Sequence, residues 1–346
     1  MKAKLRLARG RGTTHLRAMT AYSLLDLVPI IQGGTAGQAL ANAADLARHA
    51  EGLDYTRYWV AEHHGMEGIA SAATAVVIAH VGAATSTIRV GAGGIMLPNH
   101  SPLQVAEQFG TLDALFPGRV DLGLGRAPGS DQRVSAAIRR GMGGDGNEFP
   151  QDVVELQSYF ADDGRTGIRA TPGAGADVKL WILGSSLFGA QLAAALGLPY
   201  AFASHFAPGL IDEAGDVYRR NFRPSAALDK PHLALGFNVF GADSDDEAEY
   251  LATSQQQAFV AIRTGRGIQL PPPVRGYRDS LGAQGNAMLE QVLSASAIGG
   301  PEKVRAQLAA FVARTGADEL ILTSAMFDHD ARKRSLTIAA EAMRAI

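Results

Sequence analysis

Three adjacent polar residues, Glu62, His63 and His64, follow an apolar stretch at residues 57–61. The imidazole pKa lies near working pH, so a histidine at the end of a buried strand can act as a general base or donate a hydrogen bond. The alternative is structural, with the ring nitrogens anchoring a loop. The two histidines lack the HExxH and HxH spacings of metal sites, so we expect no metal ion here.

Two glycines, Gly93 and Gly94, interrupt the apolar stretch at residues 87–97. Glycine inside a strand lowers its stability and marks a bulge, a bend or the close approach of a ligand to the backbone. A flat aromatic ring system could therefore lie against this edge. A bend needed for barrel closure is the alternative.

Two further segments have residue types suited to binding phosphate. Arg126 directly follows the apolar residues 119–125, and its guanidinium could pair with a phosphate or with a loop carboxylate. Ser185, Ser186 and Gly189 lie where a predicted strand passes into a helix, a position that binds phosphate through hydroxyls and backbone N–H groups. N-capping by a serine is compatible with that function. Together, the two segments predict one phosphate site.

Several catalytic classes are excluded by the motifs that the chain lacks. It has no GxSxG nucleophile elbow, no P-loop, and no GxGxxG at the start of the first helix. The absence of cysteine excludes disulfides, thiolate metal sites and cysteine nucleophiles, and fits a reducing, cytoplasmic location.

Charge and hydropathy limit the classes of partner that the 346-residue chain is expected to have. The 32 basic and 34 acidic residues leave a net charge of -2, which gives no field to attract nucleic acid or an anionic membrane. No apolar run reaches the roughly 18 residues of a membrane span. Residues 1–18 are basic and lack the apolar core of a secretory signal. We interpret them as a disordered extension or an over-extended start, with a functional basic tail as the alternative, and residues 19–346 as one domain.

The elements that position these residues alternate between strand and helix. Most of the eight predicted strands are near-continuous apolar runs, which indicate a parallel sheet covered on both faces. Eight strand–helix units predict an α/β fold, a (β/α)8 TIM barrel, with an open doubly wound sheet as the alternative. The strands are expected at 20–27, 57–61, 87–97, 119–125, 179–184, 200–204, 232–240 and 319–324.

Two insertions depart from the strand–helix repeat. Residues 127–147 follow the fourth strand, and barrel active sites are built from the loops at the carboxyl ends of strands, so we expect this insertion to border the site. Residues 264–286 follow the seventh helix instead. By topology this second insertion need not approach the site unless it folds back as a lid.

Long stretches of the chain resemble the luciferase-like monooxygenase family, from about residue 19 to the C-terminus. The matching stretches are RYWVAEHHG, IRVGAGGIMLPNHSPLQVAEQFGTLDALFPGRVDLGLGRAPG, WILGSSLFGAQLAAALGLPYAFASHF and GGPEKVRAQLAAFVARTGADELILTS. The resemblance implies a TIM barrel that binds FMN or, in some branches, the deazaflavin F420. It also implies a homodimer and, for oxygenase members, reduced FMN supplied by a separate reductase together with O2.

The resemblance also assigns expected roles to single residues. His63 matches the histidine beside the reactive part of the flavin, and Glu62 and Asn99 would lie close by. Gly93 and Gly94 match a non-proline cis peptide that supports the isoalloxazine ring. The phosphate-binding residues would be Arg126, Ser185, Ser186 and Gly189.

Two positions depart from the luciferases themselves. Gly125 replaces a cysteine beside the flavin, and Ser185 replaces an acidic residue of the phosphate loop. Light emission and an aldehyde substrate are therefore not implied. We expect an FMN-dependent monooxygenase that acts on an apolar organic substrate. The alternatives are an F420-dependent hydride-transfer enzyme, a flavin-binding protein without turnover, and a metal-dependent barrel hydrolase.

Overall fold

A computed structural model describes residues 20–126, 132–138, 148–265 and 267–346. The predicted extension at 1–18 lies outside the described residues, as does most of the 127–147 insertion. No helix in the described part of the chain has the length and hydropathy needed to cross a membrane.

The strands follow one another in the order predicted, with one addition. They are β1 (Ala21–Asp26), β2 (Arg57–Val60), β3 (Arg89–Met96), β4 (Val120–Gly125), β5 (Lys179–Gly184), β6 (Tyr200–Phe202), β7 (Leu233–Gly241), β8 (Ser296–Gly299) and β9 (Glu319–Thr323). The α-helices of the described residues are α1 (Ala36–Gly52), α2 (Thr74–Ala84), α3 (Pro102–Leu115), α4 (Gln132–Ile138), α5 (Phe149–Ala161), α6 (Leu187–Leu196), α7 (Ile211–Asn221), α8 (Asp245–Arg263), α9 (Ala283–Val292), α10 (Pro301–Thr315) and α11 (His329–Arg344).

Eight parallel strands close into a barrel surrounded by helices, so the predicted TIM-barrel fold is confirmed. The hydrogen-bonded order runs β6-β5-β4-β3-β2-β1-β9-β7, and pairing of β6 with β7 closes the circle. All pairings between these strands are parallel. Because every strand runs in the same direction, all the carboxyl ends meet at one mouth of the barrel.

The additional strand, β8, was absent from the sequence prediction. β7 is long enough to have two partners, pairing with β9 from Ala234 to Asn238 and with β8 from Asn238 to Gly241. β8 therefore extends the sheet at the mouth rather than joining the barrel wall. It has only four residues, and its side chains alternate between half-buried and buried, unlike the continuous apolar runs of the barrel strands.

The barrel interior has an apolar middle layer below the mouth. Trp59 and Trp181 meet edge to face, with ring centres 5.1 Å apart. The rest of this inner cluster is apolar and buried: Leu25, Ala61, Ala201, Ala234 and Ile321. The layer fills the barrel interior and closes the lower side of the mouth with apolar side chains.

A charged layer lies beneath it, at the amino ends of the strands. Nε of Arg57 donates to Oε1 of Glu319 at 2.7 Å, and its Nη1 donates to Oδ2 of Asp121 at 2.8 Å. Burial alone would raise the pKa of Glu319, but the positive charge of Arg57 and hydrogen bonds from Arg57, His232 and Ser23 lower it to about 2. The layer lies at the end of the barrel opposite the mouth, where it contributes to stability.

Candidate active site at the barrel mouth

Strand alternation separates the members of the Glu62-His63-His64 cluster. Trp59 and Ala61 belong to the inner cluster, so continued alternation places His63 on the inner face. The backbone N–H of Glu62 donates to the carbonyl of Gly94 at 3.3 Å and extends the ladder between β2 and β3 past the end of β2. We therefore assign His63 to the inner face at the mouth, whereas the side chain of Glu62 contacts His64 and His100.

The carboxylate of Glu62 joins two histidines from different strand ends. Its Oε1 accepts from Nε2 of His64 at 2.7 Å and from Nε2 of His100 at 2.9 Å, and its Oε2 accepts from the N–H of Met96 at 2.9 Å. Burial works to raise the pKa of Glu62, but bonds from His100, His64 and Met96 outweigh it and hold the pKa below its usual value. The group is therefore an ionised acceptor that ties the end of β2 to the end of β3.

The same three side chains have the donor types of a metal site. Ligand atoms of Glu62, His64 and His100 all lie within 4.8 Å of one another, and two imidazoles with a carboxylate suit zinc or iron. The spacing argument from sequence overlooked this set because His100 comes from the segment after β3. Direct hydrogen bonds between the ligand atoms already satisfy the carboxylate, so this geometry needs no ion. The absence of a metal stays a prediction.

The two glycines of β3 lie at a bulge facing β4. The register between the strands shifts between Gly93 and Ile95, and the Gly93–Gly94 peptide bond is cis, as the family resemblance implied. A Cβ on Gly93 would lie 2.8 Å from Cε3 of Trp59, and one on Gly94 would lie 2.6 Å from the carbonyl oxygen of Gly123. Interior packing therefore explains the need for glycine, and contact of this bulge with a flavin ring stays a prediction.

The structure brings the predicted phosphate-binding residues together. The guanidinium carbon of Arg126 lies 4.2 Å from the ring centre of Phe188, a residue in the first turn of α6. Ser186 is the N-cap of α6 with extended backbone, and its side chain makes no capping hydrogen bond to that first turn. A cation and an uncapped helix start thus lie side by side at the ends of β4 and β5.

Packing alone accounts for Gly189, the third member of the predicted phosphate loop. A Cβ at this position would lie 3.1 Å from Cε2 of Tyr200 and 3.5 Å from Cα of Gly184. The hydroxyl of Tyr200 donates to the carbonyl of Ser186 at 3.2 Å. Gly189 therefore allows α6 to approach β5 and β6, and Tyr200 fixes the start of the helix.

The 264–286 insertion reaches the mouth, although topology alone did not require it to do so. The N–H of Leu270 donates to the carbonyl of Ile30 at 2.9 Å, and the N–H of Gln32 donates to the carbonyl of Leu270 at 2.8 Å. A Cβ on Gly68 would lie 2.1 Å from the carbonyl oxygen of Ile268. The insertion thus packs on the loops after β1 and β2. It folds back over the mouth, the one arrangement in which the sequence analysis expected it to approach the site.

Sequence reasoning missed two histidines at this end of the barrel. His100 was quoted only as part of a motif, and it contacts Glu62. His205 follows β6, and His63 is close enough to perturb it electrostatically. Both carry the signal that selected His63, a histidine shortly after an apolar strand. Asn99 is buried in the 3-10 turn Leu97–Asn99 just before His100.

A separate cavity of about 600 Å³ lies against α8, α9, β8 and α10. Its walls include Tyr250, Arg275, Arg278 and Lys303, balanced by acidic side chains. Within the described chain, none of the residues predicted for the site lines this cavity.

Comparisons with known proteins identify the family of this chain. Residues 22–319 match the family model described as luciferase-like monooxygenase. An Escherichia coli K12 protein named luciferase-like monooxygenase is 52% identical over 92% of this chain and 96% of its own. The N-acetyl-S-alkylcysteine monooxygenase of Bacillus subtilis is 34% identical over 79% of this chain and 80% of its own.

The crystal structure of apo-MsnO8 superposes with a TM-score of 0.87 at 34% identity, covering 94% of this chain and 99% of the other. The fold, the family model and these relatives all lead to the same assignment. The chain belongs to the luciferase-like monooxygenase family.

Proposed function

We propose that the protein is a monooxygenase that uses reduced FMN and O2 to oxygenate an apolar organic substrate. The observation that carries the proposal is the position of Arg126 over the first turn of α6. A guanidinium next to backbone N–H groups and serine hydroxyls is a site for the phosphate at one end of a flavin nucleotide.

The residues present fit such a nucleotide. Arg126, Ser185 and Ser186 would hold the phosphate at the ends of β4 and β5. The bulge at Gly93 and Gly94 on the neighbouring strand β3 would support the ring system. When bound, the reduced flavin supplies the electrons with which O2 is activated.

Other side chains would manage protons and water around the reacting atoms. His63, on the inner face at the end of β2, would hold or accept a proton at its imidazole. Glu62 positions that segment through His100 and Met96. The apolar layer of Trp59 and Trp181 beneath the mouth excludes water, which favours oxygenation of the substrate over release of hydrogen peroxide.

The proposal extends to partners. Reduced FMN would come from an NAD(P)H:flavin reductase, and the protein would act as a cytoplasmic homodimer. Support for these statements comes from the family resemblance and, for the reducing compartment, from a sequence without cysteine.

Binding of FMN and F420, compared by fluorescence titration, tests the choice of cofactor. Tight FMN binding that requires Arg126, with oxygen uptake driven by NADH and a flavin reductase, is the expected result. Preference for F420 without oxygen uptake would replace the proposal by hydride transfer. FMN binding without any turnover on a substrate panel would replace it by flavin carriage.

A further inference from the structure

His205 is held at the mouth by contacts between the loop after β6 and the strand β7. Nδ2 of Asn238 donates to the carbonyl of His205 at 2.7 Å, and Oγ of the preceding Ser204 donates to the carbonyl of Gly236 at 2.6 Å. Ser204 and Asn238 are both buried. The backbone that carries His205 is therefore fixed on both sides of its Cα.

The imidazole occupies the space that a side chain at Gly236 would need. A Cβ on Gly236 would lie 2.2 Å from Nδ1 of His205 and 3.1 Å from its Cγ. Ala234 belongs to the inner cluster, so Gly236, two residues later on β7, faces the same side. The ring of His205 thus lies on the inner face of the barrel, above the apolar layer.

The surroundings of Nδ1 define where the ring carries its proton. Nδ1 is buried, and none of the residues that the structure describes forms a hydrogen bond with it. A proton on this nitrogen would be a buried donor that faces Gly236 without an acceptor, whereas a lone pair in the same place needs less space. The neutral ring therefore carries its proton on Nε2. Because the Nδ1 edge packs on Gly236, the opposite edge, which contains Nε2, faces away from β7.

His205 and His63 come from opposite walls of the mouth. β2 and β6 are four strands apart in a closed barrel of eight. Burial, and secondarily the charge of His63, lower the pKa of His205 to about 4. Arg263, the last residue of α8, adds a positive group nearby, since it donates to the carbonyl of Phe206 at 3.4 Å. His205 is therefore uncharged at neutral pH, whatever the charge of His63.

We propose that His205 is a binding residue of this site. Its Nε2–H group donates a hydrogen bond to an acceptor oxygen of a molecule held between His205 and His63. The inference rests on the proposed function for the identity of that molecule. The oxygen would belong either to a carbonyl of the flavin ring or to the organic substrate on the flavin's open side.

Nitrogen-15 NMR of histidine-labelled protein tests the donor without any cofactor. The His205 signals are assigned by their loss in His205→Gln. We expect a neutral ring with the proton on Nε2 from pH 5.5 to 8, as the geometry at Gly236 requires. A proton on Nδ1, or titration near the ordinary histidine pKa of about 6.5, would overturn the inference.

Two ligand arms then identify the source of the oxygen. Addition of oxidised FMN that shifts the Nε2–H signal would assign the contact to the flavin. A shift with cyclohexanone, added to the free protein and to the FMN complex, but none with cyclohexane, would assign it to the substrate. No shift in either arm would overturn the donor role. FMN binding is followed separately by fluorescence, so its absence would overturn the proposed function while the cyclohexanone arm still tests His205.

Matched variants test whether the NMR signals of His205 depend on the packing of its ring against Gly236. Gly236→Ala should displace the ring and shift the His205 signals, because the new Cβ would overlap Nδ1. Gly209→Ala, in the segment after β6, is the control, because a Cβ there meets no atom of the described residues within 4 Å. His205→Phe should weaken the binding that depends on the donor by about tenfold, and His205→Gln should restore part of it, since glutamine keeps an N–H group. Equal binding by both variants would contradict the assignment.

Discussion

Nε2 of His100 lies 2.9 Å from Oε1 of Glu62, although 38 residues separate them along the chain. The contact joins the ends of β2 and β3, the two strands that carry His63 and the Gly93–Gly94 bulge. Glu62 thereby couples the candidate proton-transfer group to the candidate flavin support. Glu62 is therefore a positioning residue of the candidate site.

Replacing Glu62 by glutamine should lower both stability and turnover. The amide offers one neutral oxygen to two histidine donors, so at least one buried hydrogen bond is weakened, at about 1–3 kcal/mol in the free energy of unfolding. Urea unfolding measures the stability loss, and reductase-driven oxygen uptake measures turnover. Glu341→Gln on the exposed face of α11 is the control and should change neither.

Replacing Arg126 by alanine should weaken FMN binding by about 10- to 100-fold, which corresponds to one charge-assisted hydrogen bond to phosphate. Riboflavin, which has no phosphate, should bind the variant and the unchanged protein equally. Fluorescence titration with both flavins gives the comparison, and Arg220→Ala on α7 controls for loss of surface charge. Equal weakening for FMN and riboflavin would mean that Arg126 does not contact the phosphate.

Acid should destabilise the barrel through Glu319. Its folded-state pKa of about 2 is below the ordinary 4.5, so its contribution is complete above pH 4.5 and is lost as pH falls towards 2. A pKa lowered from 4.5 to about 2 corresponds to about 3 kcal/mol in the free energy of unfolding. Urea unfolding between pH 2 and 7 should show this loss.

Glu319→Gln provides the comparison for that measurement. The variant should be less stable at pH 7 and should depend less on pH in the acidic range, because the titrating group is gone. Asp45→Asn, which removes an exposed carboxylate with a pKa also near 2, should have a much smaller effect because solvent screens its charge. An unchanged acid dependence in Glu319→Gln would refute the assignment.

Displacing the 264–286 insertion should increase hydrogen peroxide release. Gly68→Ala places a Cβ against the carbonyl of Ile268, so the segment that pairs with Ile30 and Gln32 must move. Faster hydrogen exchange at the N–H of Leu270 would report the displacement, and peroxide per NADH would report the loss of water exclusion. Gly52→Ala, whose Cβ would lie more than 4 Å from every atom in the described part of the chain, should alter neither.

The fold could be predicted because its signals are local. Most of the eight barrel strands are near-continuous apolar runs, as expected for strands buried on both faces. β8 was not predicted, because a strand of four residues with alternating burial has too short a pattern to be recognised in the sequence. The proximity of Arg126 to α6 followed from neighbouring strand ends.

The contacts within the site could not be predicted from local sequence patterns, because they depend on which strand ends meet. The spacing of residues in the sequence predicts neither the hydrogen bond from His100 to Glu62 nor the contact of His205 with Gly236. The return of the 264–286 insertion depends on backbone pairing with Ile31. Only the folded backbone brings these residues together.

Anaerobic mixing of the protein with reduced FMN, followed by addition of O2, measures by rapid-scan absorbance how the bound flavin reacts with oxygen. We expect bound flavin to reoxidise with kinetics distinct from those of free flavin, and His63→Ala to change the kinetics without abolishing FMN binding. Reoxidation in a single phase at the rate of free flavin, with the His63→Ala variant indistinguishable from the unchanged protein, would contradict this expectation.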